Sequence, residues 1–159
     1  MERLFTPWRR DYVTGGAKTE GCVMCLAHQP GEGEKLVVHR GAANFVVMNL
    51  YPYSGGHVMV APYRHVGSLG QATPDELSEM MALARTTEAA FLEEYRPDGI
   101  NLGMNLGRAA GAGVADHIHL HVVPRWIGDT NFMTAVGDVR VIPEGPAEAC
   151  QRLRARFRP

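Results

Sequence analysis

The chain has 159 residues, a formal net charge of −1, 45% apolar and 21% charged side chains. That is enough length for one domain with a substantial core, and the composition is that of an ordinary globular chain. It excludes a broad basic field, so a long nucleic-acid duplex is not an expected partner, whereas a small anion held at a local site is.

No run approaches the 18 or more apolar residues of a membrane span. The start, Met1 to Arg10, lacks the apolar h-region of a secretory signal, so the expected compartment is cytoplasmic. Residues 1–35 are rich in polar, Gly and Pro residues and read as an extended arm. The arm carries a knuckle at Cys22-Val23-Met24-Cys25. In a cytosolic chain that spacing favours metal or redox chemistry over a structural disulfide. Two thiolates are half of a zinc site; the other ligands must come from His28, His39, His57, His65 or the later histidines. A pair of free thiols is the alternative.

Short β-rich runs follow at Leu36–Arg40, Asn44–Leu50 and His57–Ala61, the last two separated by the turn signal Tyr51-Pro-Tyr-Ser-Gly-Gly56. Thr73-Pro74-Asp75-Glu76 predicts a helix start with a capping box. Leu77, Met80, Met81, Ala84, Phe91 and Tyr95 then largely keep to one face of a helix over about 74–95. Pro97-Asp98-Gly99 stops it. Ile100–Leu106 reads as a strand, a glycine-rich stretch leads into Asp116–Pro124, and Pro146–Phe157 reads as a tail helix with Leu153 and Phe157 inward. The order predicts an α+β domain, an antiparallel sheet with helices packed on it.

His117, His119 and His121 alternate with Ile118, Leu120 and Val122. A strand puts all three imidazoles on one face and the apolar residues on the other, and the run is expected to end at Pro124. A helix would turn His119 away, because positions two apart lie about 200° apart at ~3.6 residues per turn. Three imidazoles on one face crowd groups that titrate near neutrality. Two chemistries fit. The imidazoles hold an open metal that activates water, or a neutral imidazole attacks a phosphorus. A binding module without turnover is a third reading.

Asn105-Leu106-Gly107 through Gly111-Ala112-Gly113-Val114 directly precedes the histidines. It is neither a P-loop nor a Rossmann fingerprint. Its glycines let successive amides turn toward one anion, as phosphoryl transfer requires. Other residues read as packing or surface. Met48, Met59, Met80 and Met81 are core filler, and Cys150 is a tail residue without a role. Asp116, beside the triad, reads as a surface carboxylate, with a leaving-group acid as the alternative. Arg125 forms a surface ion pair or reaches a distal phosphate. Trp8 and Trp126 pack or close over a ligand. His28, His39 and His57 are surface or hairpin residues.

The run His117-Ile-His-Leu-His-Val-Val123 fits the signature of the histidine triad (HIT) superfamily. Leu4–Arg9, the Cys22–Cys25 pair, Asn49–Pro62 and Pro124–Phe132 further resemble its prokaryotic branch, which includes diadenosine tetraphosphate (Ap4A) phosphorylases and related hydrolases. The similarity spans nearly the whole chain. It implies one domain over 1–159, with a tail helix in 144–159, built on a five-stranded antiparallel sheet with a long helix. It also implies a homodimer or higher homo-oligomer, joined through that helix and the neighbouring strand. The implied ligand is a purine nucleotide or dinucleoside polyphosphate, with no organic cofactor. By position, His119 matches the nucleophile and His121 a phosphate contact. Asn49 matches the ribose-binding residue. Asn105 and Gly111, Ala112, Gly113 and Val114 match the phosphate-binding segment. Cys22, Cys25, His65 and His117 match a structural zinc site. One departure stands out: many members carry Gln and Ser or Thr just before the triad, where Gly113 and Val114 lie here.

Overall fold

A computed structural model describes residues 21–31, 33–129 and 144–157. Trp8 and the Leu4–Arg9 segment lie outside the described residues. Five strands form one antiparallel sheet: β1 (Val37–Arg40), β2 (Asn44–Met48), β3 (Val58–Pro62), β4 (Gly99–Gly103) and β5 (Leu120–Arg125), in the order β1-β2-β3-β5-β4. The helices are α1 (Val23–Ala27), α2 (Pro74–Glu94) and α3 (Pro146–Arg154). The α+β architecture expected from the sequence is the one found.

β2 and β3 are wholly buried, and their Val-rich sequences suit a strand covered on both faces. Alternation divides them. Val46, Met48, Val58 and Val60 face α2 and α3. Phe45, Val47, Met59 and Ala61 face the other way, against Met24 of α1. Met59 pairs with His121 across the β3–β5 ladder, so His121 lies on the α1 side of the sheet.

The start of α2 is the one expected. Thr73 Oγ1 accepts from Glu76 N, Glu76 Oε2 accepts from Thr73 N, and Pro74 follows. Both reciprocal bonds satisfy amides that the helix itself cannot. Arg64 adds a two-pronged contact to the Glu76 carboxylate at 2.7 and 2.8 Å. Met80, Leu83, Ala84, Ala90 and Phe91 fill the core. Met81 does not: it is exposed, because it lies one position past the buried Met80 and turns outward.

Cys150 is fully buried on α3 beside Leu153, so it fills the core rather than standing idle. Arg125 pairs with Asp129 and Asn101, as a surface ion-pair residue. β5 runs through Pro124 rather than stopping there. β3 pairs only with Leu120–Val122, so the proline lies beyond that ladder.

Candidate active site

The three histidines sit at the entry to β5. The strand begins at Leu120, so His117 and His119 precede it and only His121 lies within it. Ile118 N–H donates to Val66 O at 2.8 Å, which ties this approach to the segment after β3. Ile118, Leu120 and Val122 all enter the helix-side core. The imidazoles therefore share the opposite side, as the alternation predicts.

His117 is fully buried. Its Nε2–H donates to Pro62 O at 2.9 Å, because a carbonyl can only accept. That leaves Nδ1 as a lone pair, lying 3.4 Å from Cys22 Sγ and 3.6 Å from Cys25 Sγ. His65 Nδ1 is 3.4 Å from Cys25 Sγ. The four ligand atoms lie within 4.8 Å of one another. Tetrahedral zinc with ordinary Zn–S and Zn–N bonds sets ligand atoms about 3.6 Å apart, so this donor set fits zinc. Cys22 caps α1 and Cys25 follows one turn later, which puts both thiols on one side. Burial, then a hydrogen bond and charge from Cys22, push the Cys25 thiol up, which makes that thiol less reactive when uncomplexed.

His119 is buried, and its Nδ1–H donates to His117 O at 2.8 Å. Nε2 is then the lone-pair nitrogen. Burial lowers its pKa, partly offset by that same hydrogen bond. The ring stands 4.8 Å from His121, nearly perpendicular at 79°.

His121 has a partner that sequence reasoning missed. Its Nδ1 lies 2.9 Å from Nε2 of His57, a fully buried residue rather than a surface one. Tyr53 N–H donates to His57 Nδ1 at 3.0 Å, and Asn49 Nδ2 lies 3.3 Å from the same nitrogen. His57 therefore carries its proton on Nε2 and donates it to His121 Nδ1. His121 in turn carries its own proton on Nε2. Burial, then the His119 charge, pull the His121 pKa down to about 4. The alternation His57-Val-Met-Val-Ala61 places His57 on the face of Met59, which was readable. The β3–β5 pairing that brings it to His121 was not.

Of the other expected residues, Asn49 sits at the end of β2 with Oδ1 accepting from Tyr51 N at 2.9 Å. Asn105 is half-buried after β4. Gly107 and Gly111 both take positive φ, +79° and +85°, and bracket a 3₁₀ turn at Arg108–Ala110. Only glycine accepts that backbone without strain. Val114 packs on the Met59 side of the sheet, next to the histidine face. Among the described residues the amides of Ala112, Gly113 and Val114 make no hydrogen bond. Asp116 is exposed. Half-buried His28 packs on Phe45 and Tyr63, half-buried His39 on Phe157, and Trp126 on Tyr95.

A family model described as HIT domain matches residues 31–126. The chain belongs to the HIT family. It is 41% identical to the AP-4-A phosphorylase of Mycobacterium tuberculosis over 152 residues, covering 91% of this chain and 78% of that protein. A bis(5'-adenosyl)-triphosphatase of Dictyostelium discoideum is 33% identical over 82 residues, covering 52% of this chain and 54% of that one. Among solved structures, a zinc-bound histidine triad family protein from Mycobacterium smegmatis superposes with a TM-score of 0.68. It is 29% identical and covers 86% of this chain and 92% of its own.

In this HIT chain the triad divides into two neighbourhoods. His117 joins Cys22, Cys25 and His65, the only group among the described residues whose donor atoms are placed to hold a metal ion. His119 and His121 face each other, and their Nδ1 atoms are occupied by His117 O and His57. The three imidazoles do not converge on one point, so the open metal site allowed by the sequence has no geometry here. No helix among the described residues is long and apolar enough to cross a membrane.

Proposed function

We propose that the protein is a nucleotidyl-transferring enzyme acting on a dinucleoside polyphosphate such as Ap4A, through a covalent intermediate on His119. The observation that carries this reading is the 2.8 Å bond from His119 Nδ1 to His117 O, which keeps the Nε2 lone pair free. Nε2 attacks the α-phosphorus, an N–P bond forms, and the P–O bond to the departing polyphosphate breaks. His121 donates Nε2–H to the phosphate or its leaving oxygen. The amides of Ala112–Val114, which make no hydrogen bond among the described residues, receive the non-bridging oxygens together with Asn105. These amides stand in for the Gln and Ser or Thr side chains that many relatives carry. Asn49 is assigned to the ribose. Phosphate or water then attacks the same phosphorus, the N–P bond breaks, and neutral His119 is restored.

The relationship to a phosphorylase supports phosphate as the second acceptor. Incubation with Ap4A, with and without phosphate, tests this. ADP plus ATP only when phosphate is present is the expected result. AMP plus ATP means hydrolysis, and no turnover at all rejects the reading.

Zinc at Cys22, Cys25, His65 and His117 would be structural, because four protein ligands leave no open position. It would fix the His117 main chain from which His119 takes its orientation. The assembly proposed is a homodimer, with β4 as the joining edge.

A further inference from the structure

Tyr53 touches both members of the His57–His121 pair from the solvent side. It lies on the turn between β2 and β3. Its ring stacks on His57 at 4.8 Å and 25°, and leans on His121 at 5.7 Å and 44°. It is 41% exposed whereas His57 is 0% exposed. The ring thus lies between water and buried His57, and covers one side of half-buried His121. Its main-chain N–H is the donor that meets His57 Nδ1. The turn is held by His57 N donating to Ser54 O at 3.2 Å and Asn49 N donating to His57 O at 2.9 Å.

Two neutral imidazoles in a chain have two hydrogen directions. In one, His57 holds its proton on Nε2 and His121 presents Nε2–H. In the other, His57 holds it on Nδ1, His121 is protonated at Nδ1, and its Nε2 presents a lone pair. Only the first can meet a phosphate oxygen without repulsion. An amide N–H aimed at His57 Nδ1 selects the first. Water reaching the pair would favour a third state, the charged imidazolium, which an apolar ring over it disfavours.

We propose that Tyr53 is a positioning residue, whose N–H sets the hydrogen direction of the His57–His121 pair and whose ring keeps that pair dry. This rests on the nucleotidyl-transfer reading for its kinetic consequence, though not for its structural one. Nothing in it needs the phenol hydroxyl. The titratable groups seen packed on the pair are His119, from the run before β5, and Tyr53 itself. Asn49 from the end of β2 adds a neutral amide, and Met59 of β3 an apolar side chain.

The experiment follows the ring-nitrogen chemical shifts of His57 and His121 through a pH titration in wild type, Tyr53→Phe, Tyr53→Leu and Tyr53→Ala. Steady-state kinetics on Ap4A run in parallel. Tyr53→Phe is expected to keep the Nε2–H tautomer of His121, its low titration midpoint and the wild-type rate. Tyr53→Ala is expected to raise the midpoint by about one pH unit or more, toward the usual histidine value. It should lower kcat roughly tenfold while KM changes little. Tyr53→Leu, an apolar cover without a stacking face, should fall between them and guards against a misfolded Ala variant. The tautomer, set by a main-chain N–H that every variant keeps, should hold in all of them; a tautomer that changes, or an unchanged midpoint in both the Ala and Leu variants, would overturn the proposal. The titration needs no turnover. A wild type inactive on Ap4A therefore counts against the substrate reading alone, and the titration still decides the role of Tyr53.

Discussion

His119 donates its Nδ1–H to the main-chain oxygen of His117, while the His117 ring points into the cysteine pair. One residue therefore belongs to two sites. Its side chain joins Cys22, Cys25 and His65 in a donor set that fits zinc, and its carbonyl orients the ring whose Nε2 we propose as the nucleophile.

Replacing His119 with Ala should lower turnover of Ap4A by at least about a thousandfold, as loss of a nucleophile does in other covalent enzymes. Nucleotide binding should change only a few-fold. Calorimetry measures the binding. Mass spectrometry of a quenched reaction should find the nucleotidyl adduct on wild type and none on the variant. Near-normal activity in the variant would remove His119 from the mechanism.

The protein as purified should carry one zinc per chain by elemental analysis, and Cys22→Ser or Cys25→Ser should lose it. The loss should also loosen the 117–119 backbone, read as faster amide exchange at Ile118, whose N–H is held by Val66 O. Turnover should fall with the metal although the metal touches no substrate. A metal-free variant with unchanged exchange at Ile118 would separate the two sites.

Burial holds His121 neutral, with a folded value of about 4 against an ordinary 6.5. Its unfolded form binds a proton first as pH falls. The stability this contributes is complete above about 6.5 and is lost as pH drops toward 4. Glu76 acts with the same sign at lower pH. Its carboxylate is held at about 2, chiefly by the Arg64 hydrogen bond and then by the Thr73 amide. Its contribution is complete above 4.5 and erodes below that. The melting temperature should be level from pH 7 to 8 and fall in two stages on acidification. Glu76→Gln should shrink the lower stage, to which Glu79 also contributes, and leave the upper one.

Much of this was legible in the chain. The capping box at Thr73–Glu76 needs only local bonds, and so it came out as expected. The alternation of His117 to Val122 announced which side chains face the core. Cys22, Cys25, His65 and His117 came from resemblance, since nothing local tells that residues 95 apart in sequence will meet. The fourth histidine was missed for the same reason. His57 reads as a hairpin residue until the sheet order puts β3 beside β5. Met81 was misplaced because a 3.6-residue period leaves adjacent positions 100° apart, and only the packed helix shows which of Met80 and Met81 is inside.

Glu79 offers a test of the fold rather than the chemistry. Its carboxylate accepts from Ala42 N at 2.6 Å, from Ala43 N and Asn44 N at 2.7 Å, and from Asn44 Nδ2 at 2.9 Å. Burial alone would raise its pKa, but these donors, the Asn44 side chain foremost, bring it down overall. It pins the β1–β2 turn to α2. Glu79→Ala leaves the three main-chain amides without that acceptor, while Asn44 Nδ2 keeps Glu76 O, and should cost about 3 kcal/mol. For a chain of this size that is a fall of roughly 10 °C in melting temperature. Glu79→Gln should recover part of it, because an amide oxygen still accepts. Thermal unfolding of the three proteins decides. Equal melting temperatures would mean that the turn is held by something else.

β4 is the outer strand on one side of the sheet and is mostly exposed along its length. An uncovered edge is a template for another strand. Leu102 on it is 53% exposed, and Leu92 and Met81 of α2 are 53% and 56% exposed. In the antiparallel ladder Leu102 pairs with Val122, whose side chain lies on the α2 side of the sheet. A second copy laid antiparallel along β4 would continue the sheet and cover Leu102 on the same side as α2. Leu102→Asp would put a carboxylate into that contact, where removal from water costs more than an exposed leucine gains by being freed. Light scattering after size-exclusion chromatography should find twice the chain mass for wild type and one chain mass for the variant. Ile127→Asp, at a residue 91% exposed and outside β4, should leave the dimer intact. A monomeric wild type, or a dimer that survives Leu102→Asp, would place the joining surface elsewhere.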